Sequence, residues 1–173
     1  MDMVNYPVLW DSIDWEAVKK HVTKLQRRIV KAIQKGNRYL IKKLQHLISI
    51  SLYAKLLAVR KVTTNKGKRT AGVDKQIWST KAIKYKAALR LTSKGYKARP
   101  LKRVYIEKKG KKAKRPLGIP TMYDRAMQAL FTLTLEPISE TLADKCSFGF
   151  RKHRSCKDSA SYIYNCLSKD RER

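Results

Sequence analysis

The sequence predicts an α+β fold that is mainly helical, with N-terminal helices and one basic β-hairpin. Three observations carry this reading. Apolar residues recur at spacings of three and four through the first third of the chain, the period of an amphipathic helix. Between residues 103 and 119 the pattern changes to alternation, the period of a half-buried strand. Capping signals at Thr121 and Ser155 then restart helices.

Taken in order, Asp14 is a plausible N-cap for a helix that runs to about Lys35 and stops at Gly36. Val18, Val22, Leu25, Ile29 and Ala32 form its apolar face, while Lys20, Lys24, Arg27, Arg28 and Lys31 fall mostly elsewhere on the wheel. The bland reading of those cations is a solvated surface. A second helix is expected over residues 38–62, with Leu40, Leu44, Leu47, Ile48, Leu52, Leu56 and Val59 inward, packed antiparallel on the first across Gly36-Asn37. Residues 63–74 form a polar loop with two glycines and three basic residues. Glycine there permits positive φ and a close backbone approach to a ligand. A short helix over residues 79–91 leads into the hairpin.

From Lys94 to Arg115 the chain carries eleven Lys or Arg against one acid, Glu107. Val104 and Ile106 alternate with Arg103, Tyr105 and Glu107, residues 108–111 supply a turn, and Leu117 and Ile119 resume the alternation. The expected product is a two-stranded finger with a cationic tip and an apolar face anchored to a core. Lys is a mobile point charge and Arg grips phosphate bidentately, so such a finger suits phosphate. After Pro120, Thr121 and Asp124 box the start of a helix bearing Met127, Leu130, Phe131 and Leu135, which Pro137 should end or kink. Ser155 and Asp158 box a last helix with Ala160, Ile163, Tyr164 and Leu167, followed by a charged exit at residues 169–173.

Composition narrows the partner. Lys+Arg 41 against Asp+Glu 13 gives a formal net charge of +28 in 173 residues, a self-repulsion that nucleic acid would relieve. No apolar run is long enough to span a bilayer and no secretory n-region and h-region open the chain, so the expectation is an intracellular protein without a membrane partner. A hydrophobic content of 43% is ample for a core. Cys146, Cys156 and Cys166 lack a C-x-x-C pairing and read as buried or semi-buried free thiols, neither a disulfide framework nor a zinc ribbon. His153 and Cys156 are too few ligands for a metal site. Gly67-Lys68-Arg69-Thr70 has the ending of a phosphate loop, but Val62 stands at the upstream glycine position and no strand leads in.

Five blocks in order resemble one family. They are Asn65-x-Gly67-x-x-Thr70-Ala71-Gly72-Val73-Asp74; Tyr96-x-x-Arg99-Pro100-Leu101-x-Arg103-Val104-Tyr105-Ile106; Arg115-Pro116-Leu117-Gly118-Ile119-Pro120-Thr121; Asp124-Arg125-Ala126-x-Gln128; and Ser147-Phe148-Gly149-Phe150-Arg151 with Arg154-Ser155. From about residue 10 onward the chain resembles the N-terminal extension and fingers of group II intron-encoded reverse transcriptases, or maturases. The hairpin, at about 102–120, would then be the fingers part of a right-handed polymerase. The resemblance implies a division into residues 1–74, a helical extension with a template loop, and 75–173, the fingers region, with palm and thumb absent.

By the same resemblance, Lys102, Lys108 and Arg115 match the family's contacts to the incoming triphosphate, a role that suits clamping cations. RNA or template contacts are implied at Asn65, Lys66, Gly67, Lys68 and Arg69, at Arg103, Lys109, Lys111 and Lys112, and at Arg151 and Arg154. Phe148 and Phe150 read as core residues rather than base-stacking platforms. There are departures: Glu107 stands where the family usually has proline, residues 109–114 are a lysine-rich turn, and His153 replaces a glycine. The complete family member uses Mg²⁺ held by carboxylates, whereas the thirteen acids here are scattered and no Tyr-Ala-Asp-Asp occurs, so the metal ligands would lie outside this chain and none is expected to bind here.

The implied function is therefore the RNA-binding fingers portion of an RNA-directed DNA polymerase and maturase, inactive alone, that supports intron splicing and intron mobility. Its implied partners are group II intron RNA, a template–primer duplex, and a palm and thumb from the same protein or a split partner. A non-catalytic intron RNA-binding splicing factor is the alternative. A generic basic RNA-binding protein shares the charge but not the ordered blocks.

Overall fold

The computed structural model describes residues 5–108 and 110–169, apart from the side chains of Lys108, Lys111, Lys112 and Lys169. Lys109 and the end of the charged exit thus lie outside the described residues. The fold is mainly helical with one antiparallel hairpin, an α+β arrangement. Helix α1 (Tyr6–Asp11) precedes the first one expected from the sequence. Asn5 caps it, and a proline occupies its first turn, where a missing N–H removes no helical bond.

Helix α2 (Trp15–Gln34) begins where the Asp14 carboxylate accepts from the amides of Glu16 and Ala17, at 2.9 and 3.0 Å. It ends in a Schellman arrangement: the Asn37 amide donates to the Ala32 carbonyl and the Gly36 amide to Ile33, both at 2.9 Å, with Gly36 at φ +63°. The single helix expected over 38–62 is two, α3 (Arg38–Ile50) and α4 (Leu52–Thr64). Ser51 turns between them at φ −62°, ψ 127°; its amide closes α3 on the Leu47 carbonyl and its own carbonyl accepts from Lys55, both at 3.1 Å. No glycine or proline marks this break because packing decides it. Helix α4 buries Ala54, Leu56, Ala58, Val59 and Val62 and touches α2, α3 and α5. Leu47 and Leu52, expected inside, are left exposed.

Helix α5 (Lys81–Arg90) is capped by the Thr80 hydroxyl and packs on α1 and α4. Strands β1 (Lys102–Lys108) and β2 (Lys111–Ile119) pair antiparallel, Lys102 opposite Ile119 and Ile106 opposite Arg115, with an irregularity after Glu107. Helix α6 (Met122–Leu142) runs through Pro137, so that proline does not end it, and the expected apolar residue Leu135 is exposed. Helix α7 (Cys156–Lys169) is the last.

The core joins Val22 and Ile29 of α2, Leu44 and Ile48 of α3, the buried face of α4, and Met122, Met127 and Leu130 of α6. By compactness the chain divides into Met1–Ile138 and Ser139–Arg173. The core of the first unit draws on residues from both sides of 74/75, so that boundary is one of sequence motifs rather than of packing. Within the second unit, Ile163, Tyr164 and Leu167 of α7 are exposed, so the face expected to point inward is not buried.

Candidate nucleic-acid interface

The loop after α4 is held from α6. The Arg125 guanidinium donates to three carbonyls: through Nε to Pro120 at 3.0 Å, and through its two terminal nitrogens to Gly67 at 2.9 Å and Thr70 at 2.6 Å. A second constraint lies at Gly72, where an added Cβ would stand 2.7 Å from the Thr121 Cα and 2.8 Å from its N. The close approach glycine was expected to allow is thus to the chain's own backbone, and neither Gly67 nor Gly72 has positive φ. Held this way, the loop displays Asn65, Lys66, Lys68 and Arg69 to solvent, with Gly67 half-buried at its base.

Beneath Arg125 sits a buried carboxylate. Asp124 accepts from the Tyr96 hydroxyl at 2.8 Å and the Thr121 hydroxyl at 2.6 Å, while the Thr121 oxygen accepts from the Asp124 amide at 3.1 Å. The expected capping box therefore forms and gains a tyrosine. Burial, then the hydrogen bond to Asp124 and its charge, push the Tyr96 phenol up to about 12.

The hairpin register sorts its cations by face. Lys102 and Arg115 share a face with Val104, Ile106, Leu117 and Ile119, whereas Arg103 lies on the other with Tyr105, Glu107 and Lys114. Lys102 and Arg115 are four residues apart along β1, roughly 13 Å, so the long side chains would have to converge on one triphosphate. Both are exposed; the side chains of Lys108, Lys111 and Lys112, and all of Lys109, are outside the described residues. Only the base of the finger is anchored as expected: Val104 and Ile119 are half-buried and Leu101 covers Gly118, but Ile106 and Leu117 are exposed.

A third cationic surface carries no assignment from the family blocks. Lys20, Lys24, Arg27 and Lys31 follow one another at four, three and four residues along α2, so they line one face, with Arg28 beside them. All are exposed, and none has a carboxylate partner among the described residues. Their spacing in the sequence was the available signal.

In the second unit the two arginines assigned to RNA both make contacts within the fold. Arg151 makes a bidentate pair with Glu140 at 2.7 and 2.8 Å, which lowers the Glu140 carboxyl and raises the guanidinium. Arg154 donates to the carbonyls of Lys145 and Ser147, at 3.0 and 2.5 Å. Phe148 is half-buried against Tyr162, ring centroids 5.8 Å apart, but Phe150 is fully exposed at φ +57° and is no core residue. His153, where the resembled family has glycine, takes φ +58°, the left-handed region that glycine occupies without strain. The three cysteines are exposed rather than buried. The Cys146 thiol, 3.1 Å from the Tyr162 hydroxyl, is the first cause raising that phenol to about 12.

Three carboxylates have partners within the fold. Asp124 is buried under two hydroxyls, Glu140 is paired, Asp158 accepts from the amide and hydroxyl of Ser155, and among the described residues no three His, Cys, Asp or Glu converge. No helix among the described residues is long and apolar enough to cross a membrane.

Comparison with known proteins agrees with this layout. Residues 10–91 match the family model described as the N-terminal domain of reverse transcriptase. The group II intron-encoded protein LtrA of Lactococcus lactis subsp. cremoris is 37% identical over 102 residues, 58% of this chain and 17% of the relative. Protein YkfC of Escherichia coli is 39% identical over 103 residues, 57% of this chain and 27% of the relative. A 91 kDa protein in the cob intron of Schizosaccharomyces pombe is 32% identical over 111 residues, 63% of this chain and 14% of the relative. The matches therefore span between about a seventh and a quarter of the relatives' own lengths.

Proposed function

Because this chain carries the N-terminal region of a group II intron-encoded reverse transcriptase, we propose that it is the RNA-binding, fingers side of such an enzyme. Its partners are intron RNA and a template–primer duplex, and it serves splicing and RNA-templated DNA synthesis during intron mobility, inside the cell where the intron is transcribed. On this reading Mg²⁺ would be held by carboxylates of the palm; among the described residues no three His, Cys, Asp or Glu converge. The observation that carries the reading is the row of unneutralised cations on α2 together with the loop that Arg125 holds open to solvent. One rail engages phosphates by charge, and the other presents an ordered backbone and short polar groups to a strand. Lys102 and Arg115, on one hairpin face, are the chain's contribution to the incoming triphosphate.

Affinity of the chain for structured RNA, measured across a salt series, tests this. The expected result is a steep fall with salt, each neutralised phosphate contributing about −0.7 to −0.9 to the log–log slope. A flat response removes the reading. Primer extension with Mg²⁺ and nucleotides by the 173-residue chain should be absent whatever its RNA affinity.

A further inference from the structure

We propose that a pocket of about 490 Å³ beside α5 binds one nucleotide unit, with its base on an apolar wall and its phosphate between Arg90 and Arg99. The site rests on the reading of this chain as an RNA-binding protein, yet it uses none of the cations of the loop, the α2 row or the hairpin. Helix α5 lends it one face, Ile83, Lys86, Ala87 and Arg90, at spacings of three and four. The facing wall is the segment that brings in Ile77 and Trp78. Trp78 is 8% exposed, but Ile77 and Ile83 are each 40% exposed, so apolar surface lines a concavity instead of meeting a neighbour. The Tyr123 hydroxyl closes one end, accepting from the Thr92 amide at 3.2 Å and lying 3.3 Å from the Arg90 carbonyl, which ties down the end of α5.

The polar groups select an anion. Arg90 has no side-chain partner among the described residues, and Arg99 reaches Asp74 only at 3.9 Å, beyond a hydrogen bond. Asp74 itself accepts from the Gln76 amide at 3.2 Å and its side chain is 11% exposed, so it orients Arg99 without using the guanidinium up. Lys86 rests over the Tyr6 ring at 4.9 Å, at the rim. Three cations to one carboxylate favour a negative ligand, and two guanidinium forks, that of Arg90 unpaired and that of Arg99 in a 3.9 Å ion pair, favour phosphate oxygens. A bare anion would have no use for the apolar wall, and a neutral aromatic none for the cations. A nucleotide uses both, and the volume falls in the range of about 300–1,000 Å³ of small-molecule clefts. A residue of an RNA strand and a free mononucleotide offer this same chemistry.

The test follows the Trp78 indole N–H by NMR during titration with AMP, adenosine, inorganic phosphate and the trinucleotide ApApA. AMP is expected to shift it with at least fivefold higher affinity than adenosine or phosphate, and Arg90→Gln with Arg99→Gln, checked for an unchanged circular dichroism spectrum, to weaken AMP at least fivefold. A shift with ApApA as well names a strand nucleotide as the occupant, and a shift with AMP alone names a free one. Equal response to AMP and phosphate, or binding by the double variant within twofold of the parent, overturns the proposal. Salt-dependent RNA affinity measured in parallel separates the two readings: it survives if the pocket alone is wrong, and vanishes with the AMP response intact if RNA binding is wrong.

Discussion

The loop at residues 65–72 and the hairpin both offer cations to solvent, yet they are built in opposite ways. The loop has almost no apolar content of its own and is held from outside, by two hydrogen bonds from Arg125, to Gly67 and Thr70, and by the contact of Gly72 with the Thr121 backbone. The hairpin is ordered from inside, by its own ladder, and is anchored through Val104 and Ile119 near its base while Leu117 and Ile106 stay exposed. A two-stranded ribbon without further packing is marginal in water. The difference assigns them different tasks. On the proposed function the loop would receive a strand on a surface that exists beforehand, which lowers the ordering cost of binding, whereas the hairpin would gain order from what it closes on.

If that contrast is right, the largest effects come from cutting the loop loose. Arg125→Ala should cost about 3 kcal/mol of stability, since it strips charged donors from three carbonyls, and Gly72→Ala about 2–3 kcal/mol through a Cβ pressed against backbone. Denaturant melts read both, and Arg125→Lys, with one ammonium in place of a fork, should recover less than half of the loss. In a reconstituted full-length enzyme, Arg115→Ala should impair nucleotide incorporation by on the order of tenfold, visible in the nucleotide-concentration dependence, with RNA affinity nearly unchanged. An equal RNA-binding defect would make Arg115 one more solvated charge.

A pH experiment sharpens the same comparison. The Tyr96 phenol is raised to about 12 from an ordinary value near 10, so its contribution is complete below pH 10 and is lost as pH climbs through 12. Because Tyr96 braces Asp124 beside Arg125, alkaline titration should loosen the loop while the hairpin ladder persists, and Tyr96→Phe should remove that transition in a spectrophotometric titration. Tyr162 titrates in the same range and remains in the variant as an internal reference. The smallest effect belongs to Lys111→Ala, a slight and salt-sensitive loss of RNA affinity, because neighbouring lysines in the turn can replace it.

Elements marked by local chemistry were legible in the sequence. Asp14, Gly36, the Thr121–Asp124 box and the Ser155–Asp158 box all sit where capping rules put them, and the period-two run became the hairpin. What escaped was decided by long-range packing. Ser51 breaks a continuous apolar pattern because α4 must bury a broad arc, and nothing in residues 47–52 announces it. Arg125 stood in a family block without a role, and only the fold shows that its terminal nitrogens donate to the carbonyls of Gly67 and Thr70, more than fifty residues earlier in the chain. The same holds for Arg151, paired with the Glu140 carboxylate, and Arg154, bonded to carbonyls: charge in the sequence does not say which groups of the fold a guanidinium meets.

Hydrogen exchange resolved by residue tests the contrast most directly, on the free chain, on Arg125→Gln and on the RNA complex. The amides of Lys68 and Thr70, bonded to the Asn65 and Gly67 carbonyls at 3.2 and 3.0 Å, should already be slow in the free protein, fast in Arg125→Gln, and little changed by RNA. The hairpin amides near Glu107 and Lys114 should slow on binding instead. Loop amides that exchange at unstructured rates in the free chain and are protected only by RNA would contradict the account.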